Sequence, residues 1–358
     1  MRIIQLLPVL SYGDAVGNDT LAIRELIRGM GIDTEIRYTD HMDKRLPEET
    51  ARPLNTPPAP GRNDILMYHG CTGAPINFEL HKYKGKKVLV YHNVTPPRFF
   101  RGLNPEIERI QEYALEGFRY LSDKVDYCIA DSEYNRQDLL DMGYRCPIDV
   151  CPILIPYEDY DAEPDGAVME RMSDGRHNIL FVGRISPNKK QEDVIRAFCC
   201  YRKEYDPESR LILIGSAGSM ENYLEALKDY VRQLGLEESV VFPGHIRFAE
   251  ILAYYRTADV FLCMSEHEGF CVPLVEAMYF GVPIAAYAAA AVPDTLGNGG
   301  LLLDSKEPAY AAAAMDRIIR DDGLRDLIRK GQEAVLARFS RAETEKQMKK
   351  CLKRAMKM

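Results

Sequence analysis

Ser265-Glu266-His267-Glu268-Gly269-Phe270-Cys271-Val272-Pro273-Leu274-Val275-Glu276-Ala277-Met278 sets two carboxylates, Glu268 and Glu276, on either side of a glycine, an aromatic residue and a proline. Upstream, Val260-Phe261-Leu262-Cys263-Met264 is an apolar run of strand length. Downstream, Ala277-Met278-Tyr279-Phe280-Gly281-Val282-Pro283 reads as the end of a helix, stopped by glycine and then proline. The order is strand, tight acidic loop, helix. Gly269 lets backbone approach a ligand closely. Pro273 suits the first helical turn, where a missing N–H costs nothing. The amides of Cys271 and Val272 then stand at the positive end of a helix, where a phosphate is stabilised. Glu268 falls in the loop, and Glu276 falls about one turn into the helix. A carboxylate there is suited to accept hydrogen bonds from sugar hydroxyls.

The same alternation runs through the second half of the chain. Strands are expected at 178–182, 210–214, 239–242, 259–264, 282–287 and 300–303, with helices at 191–205, 220–234, 248–257, 272–280 and 307–320. In the first half, strands are expected at 2–9, 34–38, 64–69, 87–92 and 127–131, and helices at 20–30, 106–121 and 132–142. A loop with two glycines covers 11–19, and a polar, proline-rich loop runs to Pro60. Continuous apolar strands with helices between them indicate α/β architecture with parallel sheets covered on both faces. Each half therefore reads as a doubly wound, Rossmann-like domain that binds ligands at the carboxyl edge of its strands. Two such domains facing each other are expected to form a cleft.

The stretch 152–175 is rich in proline and acids and reads as a solvated linker. The expected domains are 1–160, a linker at 161–176, and 177–339, with 340–358 packing near the first domain. Asp159-Tyr160-Asp161 has the form of an Asp-x-Asp metal motif, but the linker reading is preferred.

A chain of 358 residues with 46% apolar and 28% charged content has room for two cores. Its net charge of −8 argues against general nucleic-acid binding. Nine cysteines without a Cys-x-x-Cys pair are expected to be reduced, mostly buried thiols of a cytoplasmic protein. The N-terminal run reads as a buried strand and not as a leader, and no stretch has the length of a membrane span. The final stretch, 341–358, carries Lys346, Lys349, Lys350, Lys353, Arg354 and Lys357. A terminal helix with a solvated face is the preferred reading. Peripheral contact with anionic lipid, at the inner face of a membrane, is the alternative.

Gly183-Arg184 ends the first strand of the second half, and Lys189 lies in the loop before the next helix. A guanidinium and an ammonium aimed at one site would neutralise a diphosphate and the charge that develops as it leaves. Lys190 reads as a surface residue.

Taken together, Gly183-Arg184, Lys189 and the loop from Glu268 to Glu276 resemble the retaining glycosyltransferases of family 4. These are GT-B enzymes that take a sugar from a nucleotide-sugar. Val241-Phe242-Pro243-Gly244-His245 and Tyr254-Tyr255-Arg256-Thr257-Ala258-Asp259-Val260 extend the resemblance across the second domain. The resemblance implies that Glu276 holds the ribose and that Glu268 lies by the donor sugar. It implies that amides around Gly269, Phe270, Cys271 and Val272 hold sugar and phosphate, and that Gly244, His245 and Ile246 line the base. Gly17 matches a loop that reaches the diphosphate from the first domain. His92, at a strand end, matches a histidine close to the donor sugar, where it could hydrogen-bond the sugar. His69 reads as structural, while Asn93 and Arg98 are candidate acceptor contacts. Ala288 to Asp294 departs from the family, with Ala290 and Asp294 where many members have glycine and glutamate.

The implied reaction is retaining transfer from a UDP- or GDP-sugar to a glycan or lipid-linked acceptor, in cell-surface polysaccharide or glycolipid synthesis. It proceeds by front-face displacement and needs neither a metal nor another cofactor. Alternatives on the same fold are a phosphorylase, a nucleotide-sugar epimerase or a non-catalytic nucleotide-sugar-binding protein. The first loop lacks Gly-x-Gly-x-x-Gly, which disfavours a dehydrogenase.

Overall fold

The computed structural model describes residues 1–358, which divide into two units. Unit 1 comprises Met1–Arg101, Pro105–Pro156 and Phe339–Met358; unit 2 comprises Gly102–Asn104 and Tyr157–Arg338.

Unit 1 contains strands β1 (Arg2–Leu10), β2 (Asp33–Met42), β3 (Arg52–Pro53), β4 (Ile65–Gly70), β5 (Lys86–Tyr91), β6 (Tyr127–Ala130) and β7 (Ile148–Val150). Helices α1 (Ala15–Gly29), α2 (Ile76–Glu79), α3 (Pro105–Leu121) and α4 (Glu133–Asp141) lie between them in sequence. The strands form one parallel sheet in the order β3-β2-β1-β4-β5-β6-β7. Successive side chains of a strand point to opposite faces. Ile4, Leu66, Tyr68, Leu89, Tyr91 and Ala130 thus join Phe118 of α3 and Leu139 of α4 in one core. Ile3, Ile65, Met67, Val88, Val90 and Ile129 join Ile23 and Ile27 of α1 in the other. Both faces are covered, which explains why these strands read as unbroken apolar runs.

Unit 2 contains β8 (Asn178–Val182), β9 (Arg210–Ile214), β10 (Val240–Gly244), β11 (Val260–Cys263), β12 (Ile284–Tyr287) and β13 (Leu301–Leu303). Its helices are α5 (Gly166–Met172), α6 (Gln191–Glu204), α7 (Glu221–Gln233), α8 (Phe248–Arg256), α9 (Val272–Tyr279), α10 (Val292–Leu296), α11 (Pro308–Arg320) and α12 (Asp322–Phe339). The sheet is again parallel, in the order β10-β9-β8-β11-β12-β13.

The last helix, α13 (Arg341–Lys357), belongs to unit 1. Its Met348, Cys351, Leu352 and Ala355 pack with Ile23 and Ile27 of α1. The ammonium of Lys86 donates to the carbonyls of Ala355 (3.3 Å) and Met356 (3.2 Å), satisfying orphan acceptors at the helix end. No helix is long and apolar enough to cross a membrane.

Strand order reverses beside β1 in unit 1, where β1 pairs with both β2 and β4. In unit 2 it reverses beside β8, which pairs with both β9 and β11. A doubly wound sheet opens a crevice at such a reversal, outside the carboxyl ends of the two diverging strands.

Several expectations need correction. The stretch 152–175 is not a solvated tether. Tyr157–Asp161 forms a 3-10 turn in which Tyr160 is 4% exposed. Asp165 caps α5 by accepting from the amide of Val168 (3.0 Å) and pairs with Arg247 (2.6 Å). The loop before Pro60 contains β3 and is pinned by buried Arg37, which donates to the carbonyls of Leu54 (3.0 Å) and Pro58 (2.7 Å). The helix expected at 20–30 begins at Ala15, because Asp14 accepts from the amide of Gly17 (2.6 Å) as an N-cap. Past Arg320 the sequence shows Asp321-Asp322-Gly323, yet α12 follows, with Asp321 accepting from the amide of Leu324 (2.9 Å).

Candidate functional site

In unit 2 the segments that leave β8 and β11 meet at the strand-order reversal. After β8, the guanidinium of Arg184 is exposed and makes no ion pair, while its carbonyl accepts from the side chain of Gln191 (2.9 Å). Ser186 donates to the side chain of Asn188 (2.7 Å), and Pro187–Lys189 forms a 3-10 turn. Asn188 then staples the two segments together. Its carbonyl accepts from the amide of Glu266 (2.8 Å), and its side chain donates to the carbonyl of His267 (2.9 Å).

This staple brings Lys189 Nζ to 2.5 Å from Glu268 Oε2, with the two side chains 16% and 7% exposed. Burial pulls the ammonium's pKa down. Glu268, helped by Cys271, outweighs that pull, and Arg184 opposes it, so the net shift is upward and Lys189 stays charged. The thiols of Cys263 and Cys271 and the carboxylate of Glu268 place their ligand atoms within 4.8 Å of one another. The Lys189 ammonium already supplies the cation at that carboxylate.

Cys271 precedes α9 with φ 76°, and Val272 and Pro273 open the helix. Amides of the first turn have no intrahelical partner, so those of Cys271 and Val272 are placed to meet an anion. Thr295 Oγ1 donates to the carbonyl of Phe270 (2.5 Å), and the amide of Ala291 donates to the carbonyl of Glu268 (3.3 Å). One turn into α9, both oxygens of Glu276 are engaged. Oε1 accepts from Tyr160 Oη (3.0 Å) and Oε2 from Tyr255 Oη (2.7 Å). Burial still raises the Glu276 carboxyl against these two donors. Gly244 ends β10 with φ 76°, two strands away from β8, and carries exposed His245 and half-buried Ile246 beyond it.

The non-glycine residues with positive φ are Asn93, Lys190, Cys271 and Ala290. All four follow strands at carboxyl edges. Each left-handed non-glycine residue costs on the order of 1 kcal/mol, and such strain gathers where backbone is committed to function. Ala290, at φ 50°, adopts the backbone that a glycine would favour there.

Unit 1 contains a line of buried polar groups at its own carboxyl edge. Gln5 Nε2 donates to the carbonyl of Thr20 (3.1 Å), so its Oε1 must accept from His69 Nε2 (2.9 Å). Neutral His69 therefore offers a lone pair at Nδ1, which faces His92 Nε2 at 2.9 Å. His92 Nδ1 faces Asp131 Oδ2 at 2.8 Å. Between two acceptors, His92 must carry protons on both nitrogens. Burial alone would lower its pKa. Asp131, then Asp19 and Asp14, outweigh burial and raise it. Burial lowers His69 well below the usual value, and the charge on His92 adds to that. Burial pushes Asp19 up to about 7, with its Oδ1 accepting from the amide of Leu154 (2.8 Å). Asp19, His69 and His92 also form a ligand-rich group by composition. The two rings lie 5.2 Å apart between centroids and 8° from parallel, with the facing nitrogens at 2.9 Å. That near in-line approach suits an N–H···N hydrogen bond, not two ligands converging on an ion.

Three expected contacts change in this light. His92 is 2% exposed at its side chain with both nitrogens occupied, so no ring nitrogen is left to bond a sugar. The amide of Gly17 is committed to Asp14, and a Cβ on Gly17 would meet the Ser11 carbonyl oxygen at 2.4 Å. This glycine serves close packing of the first turn of α1 against the Ser11 carbonyl. Asn93 is 7% exposed and donates to Asn135 Oδ1 (2.7 Å), which fixes the turn after β5. Arg98 is exposed, with its guanidinium 4.9 Å from the Phe99 ring centre. Unit 2 thus gathers Arg184, Lys189, Glu268, the start of α9 and Glu276. Sequence spacing does not mark Asn188, Tyr160, Tyr255, Asp131 or Gln5 as site residues. Asn188 sits beside Lys189 in sequence, Tyr255 lies in the stretch 254–260 and Tyr160 between Asp159 and Asp161, while Asp131 and Gln5 carry no motif.

Residues 170–334 match the family described as Glycosyl transferases group 1. Over this stretch, somewhat less than half of its length, the chain is similar to the group 1 glycosyltransferases. A D-inositol 3-phosphate glycosyltransferase of Corynebacterium jeikeium is 28% identical over 253 residues, 66% of this chain and 58% of that one. The chain therefore spans little more than half the length of that curated relative. Sucrose-phosphate synthase from Thermosynechococcus elongatus superposes with a TM-score of 0.76 at 18% identity, over 99% of both chains. Anabaena HepE, solved with UDP-glucose, superposes with a TM-score of 0.71 at 18% identity, over 99% of this chain and 100% of its own. At such identities the likeness establishes the fold alone, which is GT-B.

Proposed function

We propose that the protein transfers a glycosyl group, with retention at the anomeric carbon, from a nucleoside-diphosphate sugar to a hydroxyl of a glycan or lipid-linked acceptor. The observation that carries this reading is the joining of Lys189 to Glu268 beside Arg184 and the start of α9, at the strand-order reversal of a unit similar to the group 1 glycosyltransferases. Arg184, Lys189 and the amides of Cys271 and Val272 bind the diphosphate, Glu268 meets the sugar, and Glu276 accepts from the ribose. Gly244, His245 and Ile246 flank the base. The UDP-glucose held by HepE favours UDP over GDP as the carrier.

The bond from the anomeric carbon to the diphosphate oxygen breaks, and its electron pair leaves with the phosphate. The acceptor oxygen bonds to the same face of that carbon, and its proton passes to the departing phosphate oxygen. Arg184 and Lys189 stabilise the charge that appears on the diphosphate. Positioning of donor and acceptor lowers the entropic part of the barrier. These cations fill the role that a divalent ion plays elsewhere, so chelation should leave the rate unchanged. The acceptor class supports a place in cell-surface polysaccharide or glycolipid synthesis.

Arg184→Ala tests the assignment, because the side chain has no structural partner to lose. With a panel of UDP- and GDP-sugars, the wild type should release nucleoside diphosphate, and the variant should turn over at least 100-fold more slowly with an unchanged melting temperature. Equal rates in the two proteins would exclude it. Binding of nucleotide-sugar without turnover by the wild type would favour the non-catalytic alternative.

A further inference from the structure

We propose that Tyr160 and Tyr255 are positioning residues that fix the Glu276 carboxylate for a vicinal diol, and so set a preference for ribonucleotides over deoxyribonucleotides. The proposal rests on the reading of this site as one for a nucleoside diphosphate.

A carboxylate offers about four lone-pair sites, two on each oxygen. Tyr160 takes one site on Oε1 and Tyr255 takes one on Oε2. One site then remains on each oxygen, matching the two neighbouring hydroxyls of a ribose. The tyrosines reach Glu276 from different segments, Tyr255 from α8 and Tyr160 from the 3-10 turn Tyr157–Asp161. They therefore fix both the tilt and the depth of the carboxylate.

Neither phenol is free to swing. The Tyr255 ring is 1% exposed and stacks between Phe261 (6.2 Å, 15°) and Phe280 (5.2 Å, 15°). The Tyr160 ring packs against Tyr157 (5.9 Å), Tyr279 (5.2 Å), Phe280 (5.7 Å) and Phe248 (6.0 Å). Aromatic packing of this kind holds a ring's position through its whole face, leaving only the hydroxyl at the polar boundary. Burial, together with Glu276, raises both phenols, so each remains a donor at working pH. Arg256 further anchors the turn by donating to the carbonyls of Tyr160 (3.2 Å) and Ala162 (3.3 Å). No cation pairs with Glu276, so hydroxyl donors alone orient it.

The experiment is calorimetric titration of UDP, GDP and their 2′-deoxy and 3′-deoxy forms into the wild type, Tyr160→Phe and Tyr255→Phe. Each variant keeps the packed ring, and a melting curve confirms folding. The wild type should bind the ribonucleotides roughly tenfold more tightly than the deoxy forms. In each variant that ratio should shrink toward one, because ribonucleotide affinity falls more than deoxynucleotide affinity. Donor KM should rise severalfold while kcat at saturation changes little. An unchanged ratio in both folded variants overturns the assignment of the tyrosines and leaves the donor site standing. Absence of nucleoside-diphosphate binding by the wild type overturns the site reading, and this inference with it.

Discussion

Lys189 Nζ and Glu268 Oε2 lie 2.5 Å apart, joining the segment after β8 to the segment after β11. Both side chains are largely out of water, so each charge depends on the other. Glu268→Gln leaves an ammonium with no opposite charge in a closed site. It should cost about 3 kcal/mol, measured by chemical denaturation. Replacing both residues, Lys189→Met with Glu268→Gln, should recover part of that loss. A double variant less stable than the sum of the singles would contradict the coupling.

His92 carries its charge between Asp131 and His69, and this gives a signed pH dependence. Its pKa is raised on folding, so its stabilisation is complete below the unfolded value near 6.5 and is lost as pH rises through the folded value. Asp19 acts in the same direction over a lower window. It binds a proton in the folded chain up to about 7 but from 3.8 loses it when unfolded. The Asp19 and His92 contributions to unfolding free energy should therefore decline from pH 4 upward, while His69, held well below its ordinary value by burial, contributes in the opposite sense up to about 6.5. Asp19→Asn should flatten the lower part of that decline, and Asp131→Asn the part above pH 6.5. Profiles parallel to the wild type would show that these groups do not titrate with folding. Asp14, His69 and the Cys151 thiol also face these groups.

Leu352 of α13 is fully buried between α1 and the β1-β4-β5 face. Leu352→Ala should destabilise unit 1 by about 3 kcal/mol, seen as a lower denaturation midpoint. The same change at exposed Leu327 of α12 should move it by no more than about 0.5 kcal/mol. Equal effects at the two sites would mean that α13 does not complete the unit 1 core.

Much of the arrangement of the unit 2 site is legible in local spacing. Val260 to Met264, the glycine at 269 and the proline at 273 specify strand, loop and helix start through backbone preference alone. Glu276 follows one turn later because helical rise places it there. The polar contacts of unit 1 are less legible. His92 stands at a strand end as its position implies, yet its ring is consumed by Asp131 and His69, which lie 39 and 23 residues away. Hydrogen bonds across a sheet follow strand order, and strand order is not written in any one segment.

Amino-acid pattern by itself determined two α/β units, a tight acidic loop between β11 and α9, and the cations at Arg184 and Lys189. These depend on periodicity and turn chemistry, which act over a few residues. Tertiary structure alone decided that Tyr160, in a stretch with the composition of a linker, lies under Glu276. It also decided that Asn188 staples two loops, and that the His92 ring is buried between Asp131 and His69. Each of these depends on groups distant in sequence that meet only after both sheets have formed, where exclusion of water makes every unpaired polar group costly.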